Sequence, residues 1–190
     1  MLFLILGLAL FIGAHLAVTL RGFRSNMIAR LGEAKWKLAL STVSLLGLAL
    51  IAYGFGEYRA EGYRQLYDPP LFLRHLALVL NLPVFILIAA AYLPGHIKRI
   101  VKHPMLLGIK LWAMAHLFAN GDLGSVLLFG SFLIWAVYAR INVKARELAE
   151  PRAATTGSRQ NDMIAVLVGL VAYLIVVKWL HLMIIGVQPV

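Results

Sequence analysis

The sequence predicts an all-α integral membrane bundle of about six transmembrane helices, and three observations predict it. Apolar residues make up 62% of the 190 positions against 14% charged, with a mean hydropathy of +0.85; soluble domains do not reach this balance. The apolar residues run in blocks close to the roughly 20 needed to cross a bilayer, whereas a soluble amphipathic helix interrupts them every third or fourth position. Finally, the cations gather in alternate connections between those blocks, as the positive-inside rule requires of a multi-pass chain.

The blocks are justified in chain order. Residues 2–20 form the first, with no charge before it and Arg21 and Arg24 directly after it. A secretory signal peptide has a basic start and a small-residue cleavage site, so Met1 is expected to begin the mature protein. Residues 38–56 form a second span and 71–93 a third that contains Arg74, His75, Asn81 and Pro83. The fourth, 105–119, is short and follows His103-Pro104; 123–141 and 163–185 complete the set. The polar stretch 150–162, EPRAATTGSRQND, reads as the one long flexible loop. No internal repeat is visible.

Five cations follow the first span (Arg21, Arg24, Arg30, Lys35, Lys37), three the third (Lys98, Arg99, Lys102) and five the fifth (Arg140, Lys144, Arg146, Arg152, Arg159). The opposite connections hold Arg59, Arg64 and the span-edge Arg74. The basic loops are therefore expected in the cytoplasm and both termini outside. Losing or adding a middle span would scramble this partition, so it also checks the span count.

The net charge of +10 resides in these short loops, without a single patch of interleaved aromatics, and points to anionic lipid headgroups of the bilayer instead of nucleic acid. With no cysteine, disulfides, iron–sulfur clusters, thiolate haem ligands and cysteine nucleophiles are excluded.

Histidine is the residue type that demands an explanation. His15, His75, His116 and His181 lie inside expected spans, His103 at a boundary and His96 in a basic loop. Polar residues at membrane depth face the bundle interior and mark functional sites; the plainer reading is hydrogen bonding between helices, worth roughly 0.6–2 kcal/mol per contact. At about 1.5 Å per residue, His15 lies towards the cytoplasmic end of its span, and the other three within about two turns of the outer face. Trp112, His116 and Asn120 recur at every fourth position and share one face, while His103 and Lys110, seven apart, share another. Lys110 has no carboxylate within any expected span to pair with; carbonyls, an anionic group such as a propionate, or snorkelling to the interface would satisfy it.

A mononuclear metal site usually adds carboxylates to histidine, so zinc and di-iron sites fit poorly. Haem needs one or two imidazoles, apolar walls and a cation for its propionates; without a CxxCH motif it would be non-covalent haem b. Trp112, Asn120 and Asp122 are expected to shape the outer end of such a site, or else to anchor the helix in the interface and form an Asn-Gly-Asp turn.

The run K-H-P-M-L-L-G-I-K-L-W-A-M-A-H-L-F-A-N-G-D from Lys102 to Asp122 closely resembles the signature of the NnrU family. G-A-H at 13–15, R-H at 74–75, A-A-Y-L-P-G at 90–95, N-D at 161–162 and H-L-M-I-I-G-V-Q-P at 181–189 follow in family order, so the resemblance spans essentially the whole chain. It implies a bacterial inner-membrane protein linked to denitrification through nitrite or nitric oxide reductase expression or function; in that membrane the outward termini read from the cations are expected to be periplasmic. The family also includes the plant zeta-carotene isomerase, which implies haem b and cis–trans isomerisation of an apolar polyene. Carried over by position, the haem iron ligands are His15 and His116. Depth alone would pair His116 with His75 or His181.

Two other functions stand beside this one. K-H-P-M-L-L-G also looks like the R-H-P-x-x-x-G element of membrane S-adenosylmethionine-dependent methyltransferases, with R-E-L at 146–148 as a remnant of their downstream acidic motif. A non-enzymatic accessory factor that assembles or regulates a denitrification reductase is the other.

Overall fold

Each apolar block becomes a helix because lipid offers its backbone no hydrogen-bond partner, so every N–H and C=O must be satisfied within the segment. The computed structural model describes residues 1–149 and 157–189. Most of the loop expected at 150–162, with Arg152, therefore lies outside the described residues. The helices are α1 (Leu2–Thr19), α2 (Arg21–Leu31), α3 (Glu33–Ala60), α4 (Leu71–Tyr92), α5 (His96–Val101), α6 (Pro104–Ala119), α7 (Leu123–Ala149) and α8 (Arg159–Ile175). A π-helical turn, Val176–Leu180, continues α8 into α9 (His181–Ile185).

Helices α1, α3, α4, α7 and the run Arg159–Ile185 are long and apolar enough to cross a membrane. The helix at the expected fourth span, α6, is apolar but shorter, with 16 residues, about 24 Å against a hydrocarbon core of roughly 30 Å. The fold is thus all-α and multi-pass, as expected. Two short helices in the basic connections, α2 and α5, were not anticipated. Helix α3 also begins before its apolar block, where Glu33 and Lys37 pair at 2.8 Å one turn apart, and α7 continues past Ile141 into the polar segment ending at Ala149.

The chain packs as two compact units, Met1–Tyr67 with Asp122–Trp135, and Asp68–Gly121 with Ala136–Val190. In the first, α1 and α3 meet backbone to backbone. A Cβ on Gly7 would lie 2.6 Å from the Ile51 nitrogen, one on Gly47 would lie 2.8 Å from the Phe11 nitrogen, and one on Gly54 would overlap Leu4. Small residues permit this approach, the usual basis of helix packing where lipid removes the hydrophobic drive. Leu4, Leu8 and Ile51 form the buried cluster beside it, joined by Phe11, Leu128 and Phe132.

The connection after α3 is tied by Tyr58, whose hydroxyl accepts from the Arg64 N–H at 3.0 Å. The Leu123 N–H donates to the Arg64 carbonyl at 2.9 Å. Asp122 caps α7, accepting from the Ser125 N–H at 2.9 Å, which is the turn-forming role weighed for it above. Burial, and then the Asp122 charge, push the nearby Tyr67 phenol above its ordinary pKa.

In the second unit α4 packs against α6 and α8. Gly169 brings α8 onto Ile86 of α4, and the Tyr173 hydroxyl donates to the Leu78 carbonyl at 3.1 Å. That carbonyl adjoins the one at Val79 whose helical donor Pro83 removes.

Candidate functional site

His15 sits one turn beyond Phe11 on α1, and its Nδ1 lies 2.8 Å from the Phe11 carbonyl. A carbonyl only accepts, so Nδ1 carries the proton and Nε2 is the ring's acceptor nitrogen. The imidazole stacks on Phe11 at 4.3 Å between centroids and meets Trp135 edge-on at 5.2 Å, while Phe132 backs Phe11 at 5.3 Å. The indole N–H of Trp135 is buried with no hydrogen-bond partner among the described residues.

His116 repeats this arrangement in the other unit. Its Nδ1 donates to the Trp112 carbonyl at 2.8 Å, which again makes Nε2 the acceptor. Trp112 lies alongside, 5.2 Å between centroids, and the Asn120 amide donates to the His116 carbonyl at 2.9 Å. The face expected from the four-residue spacing is therefore built as a linked series.

His181 follows the π-helical turn, whose wider winding resets the helix face at that point. The chain then hooks back through Gly186, at φ +77°, so that His181 Nδ1 donates to the Val187 carbonyl at 2.6 Å. His181 lies within electrostatic range of His116.

The remaining expected residues stand apart from these. His75 is exposed on α4. Lys110 is half-buried. His103 directly precedes α6, and its Nε2 donates to Glu147 at 2.6 Å. His96 joins Asp162 by a 2.8 Å bond from Nδ1. Among the described residues no three His, Asp or Glu side chains gather as a metal site, so a metal group held here must take fewer such ligands from the chain.

A family model described as NnrU protein matches residues 3–189. The chain belongs to the NnrU family. No curated protein and no solved structure matches it.

Four of the motifs that carry the resemblance fall at junctions of the second unit. K-H-P starts α6, with Pro104 at its first position, where a missing N–H costs nothing. L-P-G at 93–95 and N-D at 161–162 meet each other: the Asn161 amide donates to the Pro94 carbonyl at 3.0 Å, and Asp162 bonds the start of α5. H-L-M-I-I-G-V-Q-P is the closing hook.

Sequence reasoning missed Trp135 and the roles of Arg140, Glu147 and Asp162. The partners are 44 and 66 residues apart in the two histidine–carboxylate pairs, so no local spacing could signal them; for Trp135 there was no signal at all.

Proposed function

We propose that this NnrU-family membrane protein binds haem b through intramembrane histidines, with His15 and His116 as the first ligands and His181 as the neighbour of His116. The observation that carries the reading is the shared state of the three imidazoles, each giving its Nδ1 proton to a backbone carbonyl. That is how iron-ligating histidines are held: the carbonyl fixes the tautomer, orients the ring and raises the basicity of Nε2. The donor set fits the group, since haem asks for neutral imidazole and apolar walls. Around His15 the walls are Phe11, Phe132 and Trp135, and the unpartnered Trp135 N–H can donate to a polar atom of what is bound there.

Haem b, when bound, supplies an iron that can polarise or transiently reduce a polyene, bind nitric oxide or relay electrons. The chain's own contribution is to orient imidazoles, exclude water with aromatic side chains and admit an apolar substrate from the bilayer. Resemblance links the protein to denitrification or to cis–trans isomerisation of a polyene. Turnover or spectral change with a purified polyene would favour the enzyme, whereas co-purification with a nitrite or nitric oxide reductase would favour the accessory role. The cation partition supports a bacterial inner-membrane location with both termini periplasmic. A pyridine haemochrome assay on protein from haem-replete cells tests the cofactor: stoichiometric b-type haem upholds the proposal and its absence defeats it.

The second reading, S-adenosylmethionine-dependent methyl transfer, has one observation in its favour. His103 of K-H-P and Glu147 of R-E-L, the two elements that suggested it, meet at 2.6 Å. Saturable binding of radiolabelled S-adenosylmethionine that His103→Ala abolishes would favour it over haem.

A further inference from the structure

The basic-loop end of α6 carries a cluster that neither haem nor its ligands use. The Nε2 of His103 donates to one oxygen of Glu147 at 2.6 Å. The other oxygen lies 3.8 Å from Nη1 of Arg140, beyond hydrogen-bond range, and that Nη1 is buried without a hydrogen-bond partner among the described residues.

Lys102 stands directly before His103, exposed and near enough for its charge to act on Glu147. It is the one non-glycine residue with positive φ, +62°, among the described residues. Side chains rarely accept that conformation, and where the surrounding fold imposes it the residue often serves a function. Two turns along α6, on the same face as His103, Lys110 has no hydrogen bond or ion pair among the described residues. Its Cα–Cβ bond tilts towards the helix N-terminus, so its reach is towards this end.

One carboxylate thus has the charges of Arg140 and Lys102 acting on it, with Lys110 two turns further along α6, and a buried guanidinium N–H lacks an acceptor among the described residues. Leaving such a donor unpaired is unfavourable, and the partner a guanidinium matches best is a carboxylate or phosphate with two oxygens to offer. Glu147 is already engaged by His103. The cluster lies at the end of an apolar helix, and the anionic chemistry a bilayer would present there is the phosphate diester.

We propose that Arg140, Lys102 and Lys110 form a binding site for a phosphate-bearing anion at the basic end of α6, beside the His103–Glu147 pair. A phospholipid headgroup or a free phosphate carries the same chemistry. Glu147 tempers the site and, through His103, positions the α6 start that holds Lys102.

The test is thermal unfolding of the full chain in a zwitterionic detergent, titrated with phosphatidylglycerol, phosphatidylcholine or inorganic phosphate. Phosphatidylglycerol should raise the melting temperature saturably while phosphatidylcholine does not. Arg140→Gln should weaken the apparent affinity about tenfold, the worth of one charge-assisted contact. Lys102→Gln, an exposed change that spares folding, should weaken it severalfold, and Glu147→Gln should tighten it. Arg24→Gln in α2 should leave it unchanged. A response to inorganic phosphate with the same mutant pattern assigns the site to a free anion. Equal responses to the two lipids, or an anion response undiminished by both Arg140→Gln and Lys102→Gln, overturns the proposal.

Discussion

Asp162 closes the start of α5 with both of its oxygens: Oδ2 accepts from the His96 N–H at 2.9 Å and from His96 Nδ1 at 2.8 Å, and Oδ1 accepts from the Ile97 N–H at 3.0 Å. The carboxylate also occupies the space a side chain on Gly95 would need, because a Cβ there would overlap Oδ1. Asp162→Ala should therefore lower the melting temperature by several degrees, and more than Asn161→Ala does. Gly95→Ala should cost about 1–3 kcal/mol by overpacking, and clearly less in an Asp162→Ala background. Chemical or thermal unfolding of the four proteins of this double-mutant cycle checks the coupling.

The α1–α3 contact predicts a second result. Gly47→Val places methyl groups where the Phe11 backbone stands, so the helices must part. The loss should be at least about 2 kcal/mol, whereas Gly13→Val, at a position with open space around it, should change stability little. Thermal unfolding in one detergent compares the two.

Much of this was legible in the sequence. Lipid imposes continuous helices, so the six apolar helices and their order follow from the apolar blocks, and the four-residue spacing of Trp112, His116 and Asn120 already put them on one face. Helices α2 and α5 were not legible, because their eleven and six residues are too few to cross a bilayer and lie among the cations of the loops. The tautomers of His15 and His116 were hidden for a different reason: any helical histidine has a carbonyl one turn back, and only coordinates reveal whether the ring turns to it. The pairs His96–Asp162 and His103–Glu147 depend on which helix ends the tertiary fold brings together, and a single sequence holds no record of that.

Trp135 yields a third prediction. Trp135→Phe keeps the ring beside His15 and deletes a buried donor that has no partner. Removing an unsatisfied polar group is neutral or stabilising, so the haem-free protein should be as stable or gain about 1 kcal/mol. If the indole N–H serves the bound group, haem retention should fall in the same variant. Unfolding curves and haem-to-protein ratios read the two effects separately.

The cation partition makes a fourth. A reporter fused after Val190 should behave as periplasmic and one fused in the connection between α4 and α6 as cytoplasmic. Alkaline phosphatase and fluorescent-protein fusions give opposite signals on the two sides; the reverse pattern would contradict the assigned orientation.

The central claim is tested most directly by the reduced-minus-oxidised absorbance spectrum of the detergent-purified protein beside His15→Ala, His116→Ala and His181→Ala, all from haem-replete cells. A stoichiometric b-type spectrum is expected in the parent, lost in His15→Ala and His116→Ala, and shifted or weakened in His181→Ala. A parent without haem, or a spectrum that survives unchanged in His15→Ala and His116→Ala, would contradict it.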